Sequence, residues 1–180
     1  MEIWIALFRG INVGGRVLLM KELVPLLEKA GCRDVQTYIQ SGNAVFRASA
    51  ADAEQLQKRI AVAVERSRGF EPRVVVLRAK ELERAAAGNP FPEANDNPKS
   101  LHLMFLTEIA RNPDLKSLET LATPTEKFVL ERKVFYLYTP DGFGTSKLAE
   151  KVEKCLGVAC TARNWRTVNK LIEMARALEP

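Results

Sequence analysis

Ile3-Trp4-Ile5-Ala6-Leu7-Phe8, then Arg9-Gly10-Ile11-Asn12-Val13-Gly14-Gly15-Arg16, then Met20-Lys21-Glu22-Leu23-Val24-Pro25-Leu26-Leu27 set the pattern from which the rest of the chain can be read. Six apolar residues in a row read as a buried strand. From Met20 to Ala30, Leu23, Val24, Leu27 and Ala30 fall on one helical face, and Gly31 supplies a C-terminal stop. The loop between them carries three glycines and two arginines at a strand-to-helix junction, where free amides and a helix dipole can meet an anion.

Working outward, 34–39 reads as a strand, and 44–47 as another after the turn residues Ser41-Gly42-Asn43. Residues 53–68 read as a helix with Leu56, Ile60, Ala63 and Val64 inward and Asp52 as its N-cap. A strand at 73–78 completes the order βαββαβ. The order then returns. A short helix at 80–87 and a linker at 88–98, with three prolines, lead to a strand at 101–106. A helix at 114–121, a hairpin of 127–131 and 134–138, a helix at 146–156 and a strand at 158–161 follow. The last helix, 165–178, carries Trp165, Val168, Leu171, Ile172, Ala175 and Leu178 on one stripe. The predicted fold is α+β: two ferredoxin-like βαββαβ halves with antiparallel sheets, spanning 1–88 and 89–180, the second with a C-terminal helix.

That topology makes a statement about loops. The loop after the first strand and the turn 40–43 should share one end of their sheet. In the second half, loop 141–147 should lie at the same end as 161–167.

Composition narrows the classes. A chain of 180 residues that is 47% hydrophobic can bury a core and is not a disordered segment. Lys plus Arg exceed Asp plus Glu by 27 − 22 = 5, and the two signs are interspersed. This permits an anionic partner without demanding one. Three cysteines without CxxC spacing argue against a disulfide framework or a structural zinc site. Arg9 interrupts the N-terminal apolar run early, so no signal peptide is expected, and no stretch reaches membrane-spanning length. The expected compartment is the cytoplasm, with no membrane association.

Four segments carry candidate chemistry. Arg9–Arg16 is neither GxxxxGK[ST] nor GxGxxG. It reads either as a turn needing positive φ or as an anion cradle of Arg9, Arg16, Asn12 and the Gly14 and Gly15 amides. Gln40-Ser41-Gly42-Asn43 reads as a hairpin turn or as part of the same wall through Ser41 and Asn43. Ser41 is a poor nucleophile candidate, because the single histidine, His102, falls inside a strand. Gly142-Phe143-Gly144-Thr145-Ser146-Lys147 opens a helix with Thr145 as its expected cap, or holds a phosphate through helix amides and Lys147. Arg163-Asn164-Trp165-Arg166-Thr167 joins two guanidinium groups to an indole at a helix start, with Asn164 as N-cap. Trp165 is either core or, if exposed, a stacking platform. The carboxylates show no DxD, HExxH or paired-Glu pattern, so no metal site is expected.

The strings Leu7-Phe8-Arg9-Gly10-Ile11-Asn12-Val13-Gly14-Gly15, Thr37-Tyr38-Ile39-Gln40-Ser41-Gly42-Asn43 and Arg163-Asn164-Trp165-Arg166-Thr167-Val168 resemble the signature of the bacterial domain-of-unknown-function family 1697. The resemblance spans essentially the whole chain. It implies an αβ fold with ferredoxin-like halves and brings neither an activity nor catalytic residues.

The expected function is binding of an anionic, phosphate-bearing ligand: a nucleotide, a nucleic-acid segment or a phosphorylated metabolite. One wall would be Arg9, Asn12, Gly14, Gly15, Arg16, Ser41 and Asn43, the other Lys147, Arg163, Asn164 and Arg166. Two readings compete with it. One is an enzyme acting on a phosphorylated substrate, its arginines stabilising transferred charge. The other is a structural or homo-oligomeric module without a ligand. No cofactor is specified by any motif.

Overall fold

The structure, a computed structural model, describes residues 1–11, 18–40 and 42–179. The first half runs β1 (Glu2–Arg9), α1 (Met20–Lys29), β2 (Arg33–Tyr38), β3 (Asn43–Ala48), α2 (Ala53–Arg68), β4 (Arg73–Arg78) and α3 (Ala79–Ala87). The second runs β5 (Leu101–Leu106), α4 (Leu115–Leu121), β6 (Lys127–Glu131), β7 (Val134–Tyr138), α5 (Lys147–Leu156), β8 (Cys160–Asn164) and α6 (Trp165–Ala177). The sheets have orders β2-β3-β1-β4 and β6-β7-β5-β8, every pairing antiparallel. Strand order and crossovers are those of two ferredoxin-like units in tandem, as the element order predicts.

Alternation builds each core. In β1, Trp4, Ala6 and Phe8 face α1 and α2 together with Ala44, Phe46, Val74 and Val76, and meet Leu23, Leu27, Leu56, Ile60 and Val64. The opposite face, with Ile5, Leu7 and Val45, is also fully buried. Burial on both faces explains why Ile3–Phe8 is a continuous apolar run rather than an alternating one. In the second sheet Met104, Leu106, Phe135, Leu137 and Cys160 pack under Leu118, Leu148, Val152 and Leu156 of α4 and α5.

Local signals act as read. Asp52 Oδ1 accepts from the Gln55 N–H at 2.8 Å and starts α2. Gly31, read as the C-cap of α1, stands at φ 87° one residue beyond the actual cap, Ala30.

Two expectations are corrected, and the division into compact units is a further finding. Ser146, not Thr145, caps α5, its Oγ accepting from the Ala149 N–H at 3.0 Å, because Phe143–Thr145 is spent in a 3-10 turn. The last strand is Cys160–Asn164, not 158–161. Gly157 at φ 67° closes α5, so the chain needs two more residues to reach the sheet, where Arg163 and Asn164 complete the ladder. The compact units are Met1–Arg84 with Lys170–Pro180, and Ala85–Asn169, so the end of α6 groups with the first unit instead of the second. Side-chain ties agree: an Arg47 guanidinium N–H donates to Leu178 O, and Arg176 Nε donates to Glu83 Oε1 at 2.8 Å.

Candidate functional site

In the first unit, Asn12, Gly14, Gly15, Arg16 and Ser41 lie outside the described residues. The topological expectation for their neighbours holds. Leu7 pairs with Asn43, and the Phe8 N–H donates to Gly42 O at 2.8 Å, so the end of β1 and the β2–β3 turn share one end of the sheet. Arg9 is exposed there and stands opposite Arg73 of β4. Asn43 is wholly buried, and its Nδ2 donates to Tyr38 O at 3.0 Å, which closes the turn. That amide serves the fold.

In the second unit, β7 and β8 both run antiparallel to β5, so they end together. His102 pairs with Leu137 on one side and Asn164 on the other, and its ring stacks on Phe143 with centroids 3.9 Å apart. Loop 141–147 and the start of α6 therefore meet at one end, as expected. Asn164 Oδ1 accepts from the Thr167 N–H at 2.9 Å and caps α6. Lys147 and Arg166 are exposed in the first turns of α5 and α6. Arg163 is buried on the opposite face of β8, its Nη1 donating to Ala162 O at 2.8 Å. Burial pulls its guanidinium down to about 10. The strand alternation thus separates Arg163 from Asn164, so the run Arg163–Arg166 does not present one surface. Trp165 is buried, its Nε1 donating to Asn95 Oδ1 at 3.0 Å, so the indole is core and not a stacking platform.

Burial pushes the His102 imidazole down to about 4, and its Nδ1 has no hydrogen-bond partner among the described residues. Among those residues no group of three His, Cys, Asp or Glu side chains is placed to hold a metal, and no helix is long and apolar enough to cross a membrane. Cys32 is buried, and desolvation pushes its thiol up to about 12 against the opposing pull of Arg59, so it is not a thiolate nucleophile.

A cavity lined by four basic side chains lies where motif reading did not point. A groove of about 640 Å³ runs between the end of α1 and the outer side of α2. Its apolar lining is Leu26, Ala30, Val62 and Ala63. Its rim is Lys29, Lys58, Arg59 and Arg66, and no carboxylate lines it. Lys58 is bound to Glu54 just outside at 2.6 Å. Arg59 Nη2 donates to Ser49 O at 3.2 Å, while its Nε is buried without a hydrogen-bond partner among the described residues. Lys58, Val62 and Arg66 stand at i, i+4 and i+8, one stripe of α2, with Val62 43% exposed between two cations. An exposed valine between basic residues is the sequence signal for this face; Leu56, Ile60 and Val64 mark the inward one.

Cations beside an apolar lining can hold an anionic head and shelter an apolar body. No carboxylate or imidazole is among the side chains that line it.

Comparison with known proteins agrees with the architecture. A solved structure described as the conserved bacterial protein SP0830 from Streptococcus pneumoniae superposes with a TM-score of 0.69 at 24% identity, covering 98% of this chain and 99% of that one. At that identity the likeness establishes the fold alone. No curated protein matches. The model of a protein of unknown function, DUF1697, matches residues 1–136, all of the first sheet and most of the second, and the chain accordingly belongs to the DUF1697 family.

Proposed function

We propose that the protein binds an anionic, phosphate-bearing ligand with an apolar face, and that the groove between α1 and α2 is where it binds. The observation that carries this reading is the lining: four cations, four apolar side chains and no carboxylate. A nucleotide fits this chemistry better than inorganic phosphate, because the apolar lining rewards burial of an apolar ring. Exposed lysine and arginine attraction is screened by salt, so binding weakens as ionic strength rises.

The test is a thermal-shift panel of nucleoside phosphates, sugar phosphates and short single-stranded oligonucleotides at low and high salt. Nucleoside phosphates should raise the melting temperature at low salt, and Lys58→Gln with Arg66→Gln should abolish the rise. A rise that persists in that double variant overturns the groove as the site. A second place for the same anion is the end of the second sheet, favoured by exposed Lys147 and Arg166 in two helix first turns that meet there. Loss of the shift in Lys147→Ala with Arg166→Ala, and not in the groove variant, selects it. No shift with any member of the panel refutes ligand binding of this class.

A further inference from the structure

β6 is one of the two edge strands of the second sheet, and with one flanking residue at each end its charge pattern is complementary to its own reversal: Glu126-Lys127-Phe128-Val129-Leu130-Glu131-Arg132. Read antiparallel to itself about Val129, Lys127 faces Glu131, Phe128 faces Leu130 and Glu126 faces Arg132. We propose that β6 pairs with β6 of a second copy of this chain across a two-fold axis at Val129, joining two four-stranded sheets into one of eight strands.

The backbone supports this register. Leu106 N–H donates to Lys133 O, and Thr139 N–H to Ser100 O, which fixes Lys133, Phe135, Leu137 and Thr139 as the β7 residues bonded to β5. Alternation then assigns Val134, Tyr136 and Tyr138 to β6, where their partners are Glu131, Val129 and Lys127. The N–H and C=O groups of Phe128 and Leu130 therefore point away from the sheet. Among the described residues no side chain bonds to either one. An antiparallel pair centred on Val129 uses those four groups from each copy, with Phe128 opposite Leu130 as the hydrogen-bonded pairs.

The side chains fit the same axis. Lys127, Val129 and Glu131 are exposed on one face, and Phe128 and Leu130 are half-buried at the margin of the core on the other. Two such edges would extend that core across the axis. Lys127 Nζ already holds Glu93 at 2.9 Å and retains donors for Glu131 of the second copy. Unlike a protected edge, whose charges repel a like strand, this one places opposite charges in register with itself. The contact is isologous, so it closes at two copies. An interface of one short strand pair belongs to the small, transient class.

Sedimentation equilibrium from about 10 µM to about 1 mM tests it, since small interfaces populate in that range. The wild type should rise from one copy towards two. Lys127→Glu and Glu131→Lys each set like charges opposite one another twice and should weaken association roughly tenfold. Mixed together, these two variants regain both opposite-charge pairs, and the mixture should associate where neither does alone. Val129→Lys, with two ammonium groups meeting on the axis, should remain monomeric. Hydrogen exchange gives a second readout: the Phe128 and Leu130 amides should gain protection with concentration, and the Val129 amide should not. A wild-type mass of one copy throughout overturns the proposal. So does a dimer indifferent to Val129→Lys, or a charge-swapped mixture that fails to associate.

Discussion

Acidification from pH 7 to pH 5 should destabilise the second unit through one side chain. His102 is the single histidine of the chain, and burial lowers its imidazole from 6.5 to about 4 in the folded state. The unfolded chain takes up a proton near its ordinary value; the folded chain resists until near 4. Between those values the unfolded state binds more protons, so stability falls as pH falls. With 6.5 unfolded and about 4 folded, the loss between pH 7 and pH 5 is about 2 kcal/mol, and below pH 4 it approaches a limit of roughly 3 kcal/mol. The window is clean. Glu22, Glu93, Asp114 and Glu150 are held below their ordinary values, chiefly by side-chain hydrogen bonds with Arg68, Lys127, Ser117 and Lys151, and their support is lost only at lower pH. Urea denaturation of wild type and His102→Gln at both pH values is the assay. Wild type should lose about 2 kcal/mol more than the variant on going to pH 5. Equal pH dependence in the two proteins would refute the desolvation argument.

Two further outcomes follow from the packing. Gly42 sits at φ 74°, and an added Cβ would lie 2.5 Å from Ile11 Cδ1 and 2.7 Å from Phe8 Cβ. Gly42→Ala should therefore cost roughly 2–4 kcal/mol, the sum of a left-handed backbone and an overpacked contact, read as a fall in the urea midpoint. A change under about 0.5 kcal/mol would mean that the turn relaxes freely. Tyr136 is buried, with its hydroxyl donating to Ala85 O at 2.8 Å, and burial pushes its phenol up to about 12. Tyr136→Phe should cost about 1–2 kcal/mol, since it leaves that carbonyl without its partner; an unchanged midpoint would contradict the bond.

Most of the fold was legible because local signals and burial pattern agreed. The continuous runs of β1 and β4, the amphipathic stripes of α2 and α6, and the Asp52 and Asn164 caps all act as their residue types suggest. The sequence misled where a side chain's chemistry and its place in the ladder disagree. Arg163 and Asn164 look like a loop, yet they are the last two residues of β8, because strand register is fixed by pairing with Leu103 and His102, far away in the chain. Thr145 looks like the cap of α5, but the preceding 3-10 turn shifts the start by one residue. The site was less legible than the fold. Runs such as Arg163–Arg166 suggest a cluster only if neighbours in sequence share a surface, and a strand sends alternate residues to opposite faces. The groove has the reverse property: Lys29 and Arg66 are distant in sequence and meet only when α1 packs beside α2.

The central claim is that negative charge is held between α1 and α2, and amide chemical-shift mapping with a nucleoside monophosphate tests it most directly. Titration should move the amides of the last turn of α1 and of residues 58–67, and Lys58→Gln with Arg66→Gln should erase those shifts. Shifts confined to 147 and 164–166, or none at millimolar ligand, would contradict it.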